Sequence, residues 1–146
     1  MSERFDPKIK QLIPHREPML LINALLDVTQ QSSESRVVID AETPFATKQG
    51  VPAWIGLEYM GQTAALIAGQ QQREGLCQPH LGFLMGSRRY QTNVDFFHLG
   101  RTLCVRCEQA ALVGESLATF SCTISDETTG EQLATALLSV YRRPLD

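Results

Sequence analysis

Val51-Pro52-Ala53-Trp54-Ile55-Gly56-Leu57-Glu58-Tyr59-Met60-Gly61-Gln62 is the stretch on which the fold turns. It opens a run that reads as a helix to about Gln72, bounded by Glu74-Gly75. Leu57, Met60, Ala64, Ala65, Leu66, Ile67 and Ala68 leave it no wide polar face, and a helix of that kind is buried. Glu58 and Gln62 lie inside it, four apart and therefore on one face. A carboxyl group held away from water must find partners or take up a proton. Glu58 is thus a candidate for proton-transfer chemistry. The competing reading is a structural Glu tied down by backbone groups or by a neighbouring subunit.

Outward from the helix, the chain reads as strands. Residues 1–12 hold a short helix with Asp6-Pro7 at its start and Ile9 and Leu12 facing inward. Pro14 and Pro18 bracket His15 and make residues 13–19 stiff and irregular. Residues 19–29 and 35–41 are expected as strands, with a turn over 30–34. After a loop over 42–51 and the helix come strands at 81–92, 102–113, 116–125 and 131–142, with a turn carrying Phe96-Phe97 between the first two. In 116–125, Ala118, Phe120, Cys122 and Ile124 alternate with Leu117, Thr119, Ser121 and Thr123. Short turns imply antiparallel pairing. One long apolar helix and five or six antiparallel strands resolve into a curved sheet wrapped around the helix, an α+β single domain over 1–146. The small residues Gly61, Ala64, Ala65, Ala68 and Gly69 let the sheet come close. Such a sheet leaves an edge and part of the helix exposed, so a dimer is expected.

Bulk properties narrow the field. At 146 residues, 43% hydrophobic and 20% charged, the chain suits one globular domain with one core. A formal charge of -3 offers no general affinity for nucleic acid. The start, Met1-Ser-Glu-Arg-Phe-Asp-Pro, lacks the apolar region of a signal peptide, and no apolar run reaches membrane-spanning length, so the expected location is the cytosol. Cys104 and Cys107 form a CxxC, but on a strand residues three apart face opposite ways. With Cys77 and Cys122 each alone, the cysteines are expected as free thiols and no metal site is expected.

The architecture is that of the hot-dog fold, and three stretches point to one family. Leu12-Ile-Pro14-His15-Arg16-Glu-Pro18-Met-Leu-Leu-Ile resembles the LPHRyPfLLvD opening of bacterial 3-hydroxyacyl-[acyl carrier protein] dehydratases. Residues 51–62 resemble that family's mPGvlivEamaQ helix start, and Gly82 to Gly100 its central strand and turn. The overall pattern looks closest to a dehydratase subgroup associated with aryl polyene-type lipid clusters. The family's GHFP histidine is missing: its position here is Pro44, and no histidine lies between His15 and His80.

The resemblance implies dehydration of a 3-hydroxyacyl thioester to a 2-enoyl thioester, with no cofactor beyond the phosphopantetheine of acyl carrier protein that carries the substrate. Such a reaction needs a base at the α carbon, an acid for the departing hydroxyl and donors for an enolate-like oxygen. Glu58 takes the acid role beside Gln62. Backbone N–H groups at the helix start, Ala53, Trp54 and Gly56, are expected to hold the thioester carbonyl. His15, His80 and His98 are the candidates for the base, with His15 favoured. Arg88 and Arg89, with Arg101, Arg106, Arg142 and Arg143 as further basic spots, are expected to dock the acidic carrier protein, and Trp54 and Tyr59 to line an acyl tunnel. The expected partners are the carrier protein and a second copy, as a dimer or trimer of dimers, or a second hot-dog subunit. A hot-dog thioesterase with Glu58 activating water, and a degenerate subunit that supports an active dehydratase, are the alternatives.

Overall fold

The computed structural model describes residues 4–78, 80–114 and 116–144, with the backbone alone at Leu81 and Arg88. In chain order the elements are α1 (Pro7–Lys10), β1 (Ala24–Val28), β2 (Ser32–Val38), β3 (Val51–Pro52), a 3-10 turn (Ala53–Ile55), α2 (Gly56–Arg73), β4 (His80–Thr92), β5 (Phe96–Phe97), β6 (Thr102–Val113), β7 (Leu117–Asp126) and β8 (Gln132–Pro144). Six strands form one antiparallel sheet in the order β1-β2-β6-β7-β8-β4. α2 packs across its concave face, chiefly on β2, β6 and β7. This is the hot-dog arrangement that the helix pattern implied.

The period-two pattern of the strands supplies the core. Ser33, Ser35 and Val37 of β2 are buried, as are Leu103, Val105 and Cys107 of β6 and Ala118, Phe120, Cys122 and Ile124 of β7. Tyr59, Met60, Leu66 and Ile67 of α2 meet them. The polar groups trapped between helix and sheet are paired. Ser33 Oγ donates to Thr63 O at 2.6 Å, and Ser35 Oγ lies 2.7 Å from Thr63 Oγ1.

Three expectations shift. Residues 19–23 are not strand: the Gln62 side chain takes backbone groups of Met19 and Leu21, with Leu21 N donating to Gln62 Oε1 at 2.8 Å and Gln62 Nε2 donating to Met19 O at 2.7 Å, and among their backbone groups only Asn23 N reaches β2, at Arg36 O. The first reversal is tighter than 30–34, closing where Thr29 N donates to Ser32 O at 2.8 Å, so β2 begins at Ser32. Phe96–Phe97 is a short strand paired with Val51–Pro52, which pins the start of the helix. As expected, the sheet leaves part of α2 uncovered. Its Gly61, Ala65 and Ala68 are half-buried and face a cavity.

β4 is an edge strand, bonded to β8 on one side. Phe83, Leu84 and Met85 are exposed on it, Met85 to 65%. Cys104 and Cys107 do face opposite ways, half-buried and buried respectively, and all four cysteines are free. No cluster of potential metal ligands occurs among the described residues.

Candidate active site

The segment that carries His15 is held on three sides. Arg16 turns back along it, donating to Ile13 O at 2.9 Å, His15 O at 2.7 Å and Lys10 O at 2.9 Å. Gln62, fully buried, fixes Met19 and Leu21 to α2. Gly69 lets Leu12 cross the helix in contact, since a Cβ there would overlap the Leu12 backbone. The result is a half-buried imidazole whose Nδ1 is shielded from solvent and makes no hydrogen bond among the described residues. Burial lowers the pKa of His15, outweighing the Glu58 carboxylate, which acts in the opposite sense; the Arg16 charge adds to the lowering.

Glu58 sits in the first turn of α2, half-buried. Gln62 Nε2 donates to its Oε1 at 3.2 Å. That contact fixes one carboxyl oxygen and leaves the other open. His15 and Glu58 line the same cavity of about 220 Å³, which runs between α2 and the strands β4, β7 and β8. Gly61, Ala64, Ala65, Ala68 and Gly69 form its helical wall, and Phe83, Leu84, Phe120 and Val140 lie among the residues opposite. Small residues spaced three or four apart on one helix face leave a slot along the axis. Its far end is polar, formed by Gln71, Gln72, His80, Gln109 and Arg142.

The other expected site residues fall elsewhere. Ala53, Trp54 and Gly56 lie outside the cavity wall. Ala53 N donates to Asp95 O at 2.9 Å and Gly56 N donates back to Ala53 O within the 3-10 turn, so these two N–H groups are already engaged. Trp54 is 66% exposed, while Tyr59 is fully buried against Phe97 with ring centroids 6.0 Å apart. Neither aromatic lines the slot, because the helix face toward β4 carries glycine and alanine instead. His98 is exposed, with Nδ1 3.2 Å from Gln49 O, and lies away from Glu58's cavity; His80 lies at the cavity's other end. Pro44 is not part of the cavity lining. Arg89 is exposed, and the side chain of Arg88 lies outside the described residues. Arg101 and Arg106 are tied to Asp126 and Glu34, and Arg142 is buried, so these three are not free basic spots. The polar far end was missed in the sequence because its side chains come from four separate elements.

A family model described as ApeP-like, ApeP dehydratase, matches residues 7–146. The chain belongs to the ApeP-like dehydratase family. Its fold superposes on a solved structure described as the dehydratase heterocomplex ApeI:P from Xenorhabdus doucetiae, at TM-score 0.83 and 25% identity, over 94% of this chain and 91% of that one. More distant structures share the fold. The PaaI protein of the E. coli phenylacetic acid degradation operon aligns at TM-score 0.64 and 11% identity over 82% of each chain. A hypothetical thioesterase from Streptococcus pneumoniae, solved with coenzyme A, aligns at TM-score 0.63 and 8% identity, over 83% of this chain and 87% of that one. No curated protein matches the chain. No helix among the described residues is long and apolar enough to cross a membrane.

Proposed function

We propose that the chain is a cytosolic 3-hydroxyacyl-[acyl carrier protein] dehydratase that uses His15 and Glu58 in place of the usual pair. One observation carries the reading: the half-buried His15 imidazole and a Glu58 carboxyl with only one oxygen engaged by Gln62 line the same slot. His15, kept neutral at pH 7 by its lowered pKa, removes the proton α to the thioester carbonyl. Glu58 protonates the hydroxyl leaving the β carbon. The Cα–H and Cβ–O bonds break, the Cα=Cβ bond forms, and water departs. A proton then passes from His15 to Glu58 and resets the pair. With the Ala53 and Gly56 N–H groups engaged elsewhere, the helix dipole acts on the enolate-like oxygen only through the field at the first turn of α2, where Glu58 sits. The substrate arrives on phosphopantetheine, and the carrier protein docks near Arg88 and Arg89. Replacing His15 by Ala or Glu58 by Gln lowers kcat on a carrier-bound 3-hydroxyacyl substrate by about 10²-fold or more. Unchanged turnover in folded His15→Ala removes His15 from the mechanism.

A second reading is favoured by Pro44 at the position of the family histidine. In it the chain contributes Glu58 and the slot, and a second hot-dog subunit supplies the base across the interface. The exposed apolar edge of β4 gives such a subunit a seat, and the solved relative is itself described as a heterocomplex. Turnover by the chain alone separates the two readings: the first expects it, the second expects activity only with the partner.

A further inference from the structure

The polar end of the slot is unusual for a channel that holds an alkyl chain. Arg142 is 6% exposed, and no carboxylate lies within ion-pairing distance of it among the described residues. A buried charge without a counter-ion is costly unless something else offsets it. Its Nε donates to His80 Nε2 at 3.0 Å, and its Nη2 to Gln71 Oε1 and Cys77 Sγ, each at 3.3 Å. His80 accepts through Nε2 when its Nδ1–H donates to Gln78 O at 3.1 Å, so the imidazole is neutral there and offsets no charge. Nη1 of Arg142 has no partner among the described residues. Gln109 accepts from Gln71 Nε2 at 2.9 Å, and its own amide N–H groups have no partner among the described residues. Gln109 and Arg142 thus bring spare donors and a positive charge to the lining at the end of an otherwise apolar slot, Arg142 also lining a neighbouring cavity with Cys77 and His80.

We infer that this end of the cavity recognises an oxygen at the terminus of the acyl chain, so that the substrate class is a 3-hydroxyacyl thioester ending in a hydroxyl or carboxylate rather than a methyl group. The inference rests on the acyl-thioester reading proposed above. At about 1.5 Å of rise per residue, Glu58 and Gln71 stand about 20 Å apart along α2, so an extended chain reacting at Glu58 reaches Arg142 with its tail. The phosphate of the pantetheine arm is a poor occupant. It is tied to a folded carrier protein and stays at the surface, whereas Arg142 is buried. A site built to hydrogen-bond an oxygen rejects the analogue that lacks it, because its buried donors are then left unpaired.

Full-length protein, in the assembly in which it purifies, is tested with 3-hydroxyacyl pantetheine thioesters of matched length ending in methyl, hydroxyl or carboxylate. kcat/KM is measured for each, and calorimetry measures binding of the corresponding unreactive 2-enoyl pantetheine amides. Oxygen-ended chains are favoured by about tenfold or more in both assays. Gln109→Leu and Arg142→Met bring that ratio toward one, and a ratio is unaffected by a loss of folded protein common to all substrates. Equal values for the three ends, or a preference unchanged in both variants, overturn the inference. Turnover without discrimination leaves the dehydratase reading standing and removes this one. Discriminating binding without turnover does the reverse, and no binding of any probe removes both.

Discussion

At the scale of single residues, burial acts on two histidines, one of them the proposed base. Both His15 and His80 have pKa values lowered from 6.5, in each case chiefly by desolvation. A base works unprotonated, so the acid limb of kcat/KM is expected below the ordinary histidine value, with a plateau through neutral pH. A pH–rate profile checks this, and a limb above 6.5 contradicts it. The same shifts act on stability. Between the folded and unfolded pKa values the unfolded chain binds more protons, so stability is complete above about 6.5 and declines as pH falls toward the folded values. The lowered carboxylates Asp40, Asp126 and Glu127 act in a lower window, below their unfolded values near 4. Urea unfolding at successive pH values separates the two, and replacing His15 and His80 together flattens the upper slope. Gln62 makes a different point. It reads in the sequence as a companion of the catalytic carboxyl, yet its amide also substitutes for a strand neighbour at Met19 and Leu21. Gln62→Leu leaves the Leu21 N–H buried and unpaired, a loss of about 1–3 kcal/mol. The measurement is a fall in chemical-denaturation midpoint together with reduced kcat, because the segment carrying His15 loosens.

At the scale of the element, α2 shows that one residue type serves opposite ends. At Gly69 an added Cβ overlaps the Leu12 backbone, while at Gly61 the nearest atom, Leu84 Cδ2, is 3.9 Å away. Gly69→Ala is therefore expected to cost about 1–3 kcal/mol by overpacking. Gly61→Ala is expected to gain up to about 1 kcal/mol in helix propensity while narrowing the slot and raising KM for long chains. Thermal unfolding and chain-length kinetics read the two signs. The stripe Gly61, Ala64, Ala65, Ala68 was legible in the sequence as a face of small residues, and so was a buried helix with an acid inside it. Sequence could not tell that the stripe faces a cavity rather than a sheet. Composition says that a close approach is allowed, and only the path of the sheet decides what approaches. The helix start differs from its sequence pattern for a related reason. Its N–H groups look free by position, but Ala53 is bonded by Asp95 from the turn before β5, a contact between residues distant in the chain.

At the scale of the whole molecule, the sheet is closed at neither end, and the β4 edge is the consequential one. It is long, running from His80 to Thr92, and it carries Phe83, Leu84 and Met85 exposed beside the slot. An uncovered apolar edge of this length pairs with another strand or aggregates. Pairing two hot-dog sheets edge to edge also covers the slot's outer wall, since Phe83 and Leu84 line it from inside. Coupling of assembly to catalysis is therefore expected: the proposed acyl cavity is predicted to exclude water only when the edge is occupied. Met85→Lys places a charge on that edge while leaving the slot's own lining unchanged, because Met85 is 65% exposed and not part of it. The variant is expected to shift the protein to monomer in sedimentation, to keep its secondary structure by circular dichroism, and to lose most of its turnover. A monomeric variant with full activity breaks the coupling and shows that one chain closes its own site.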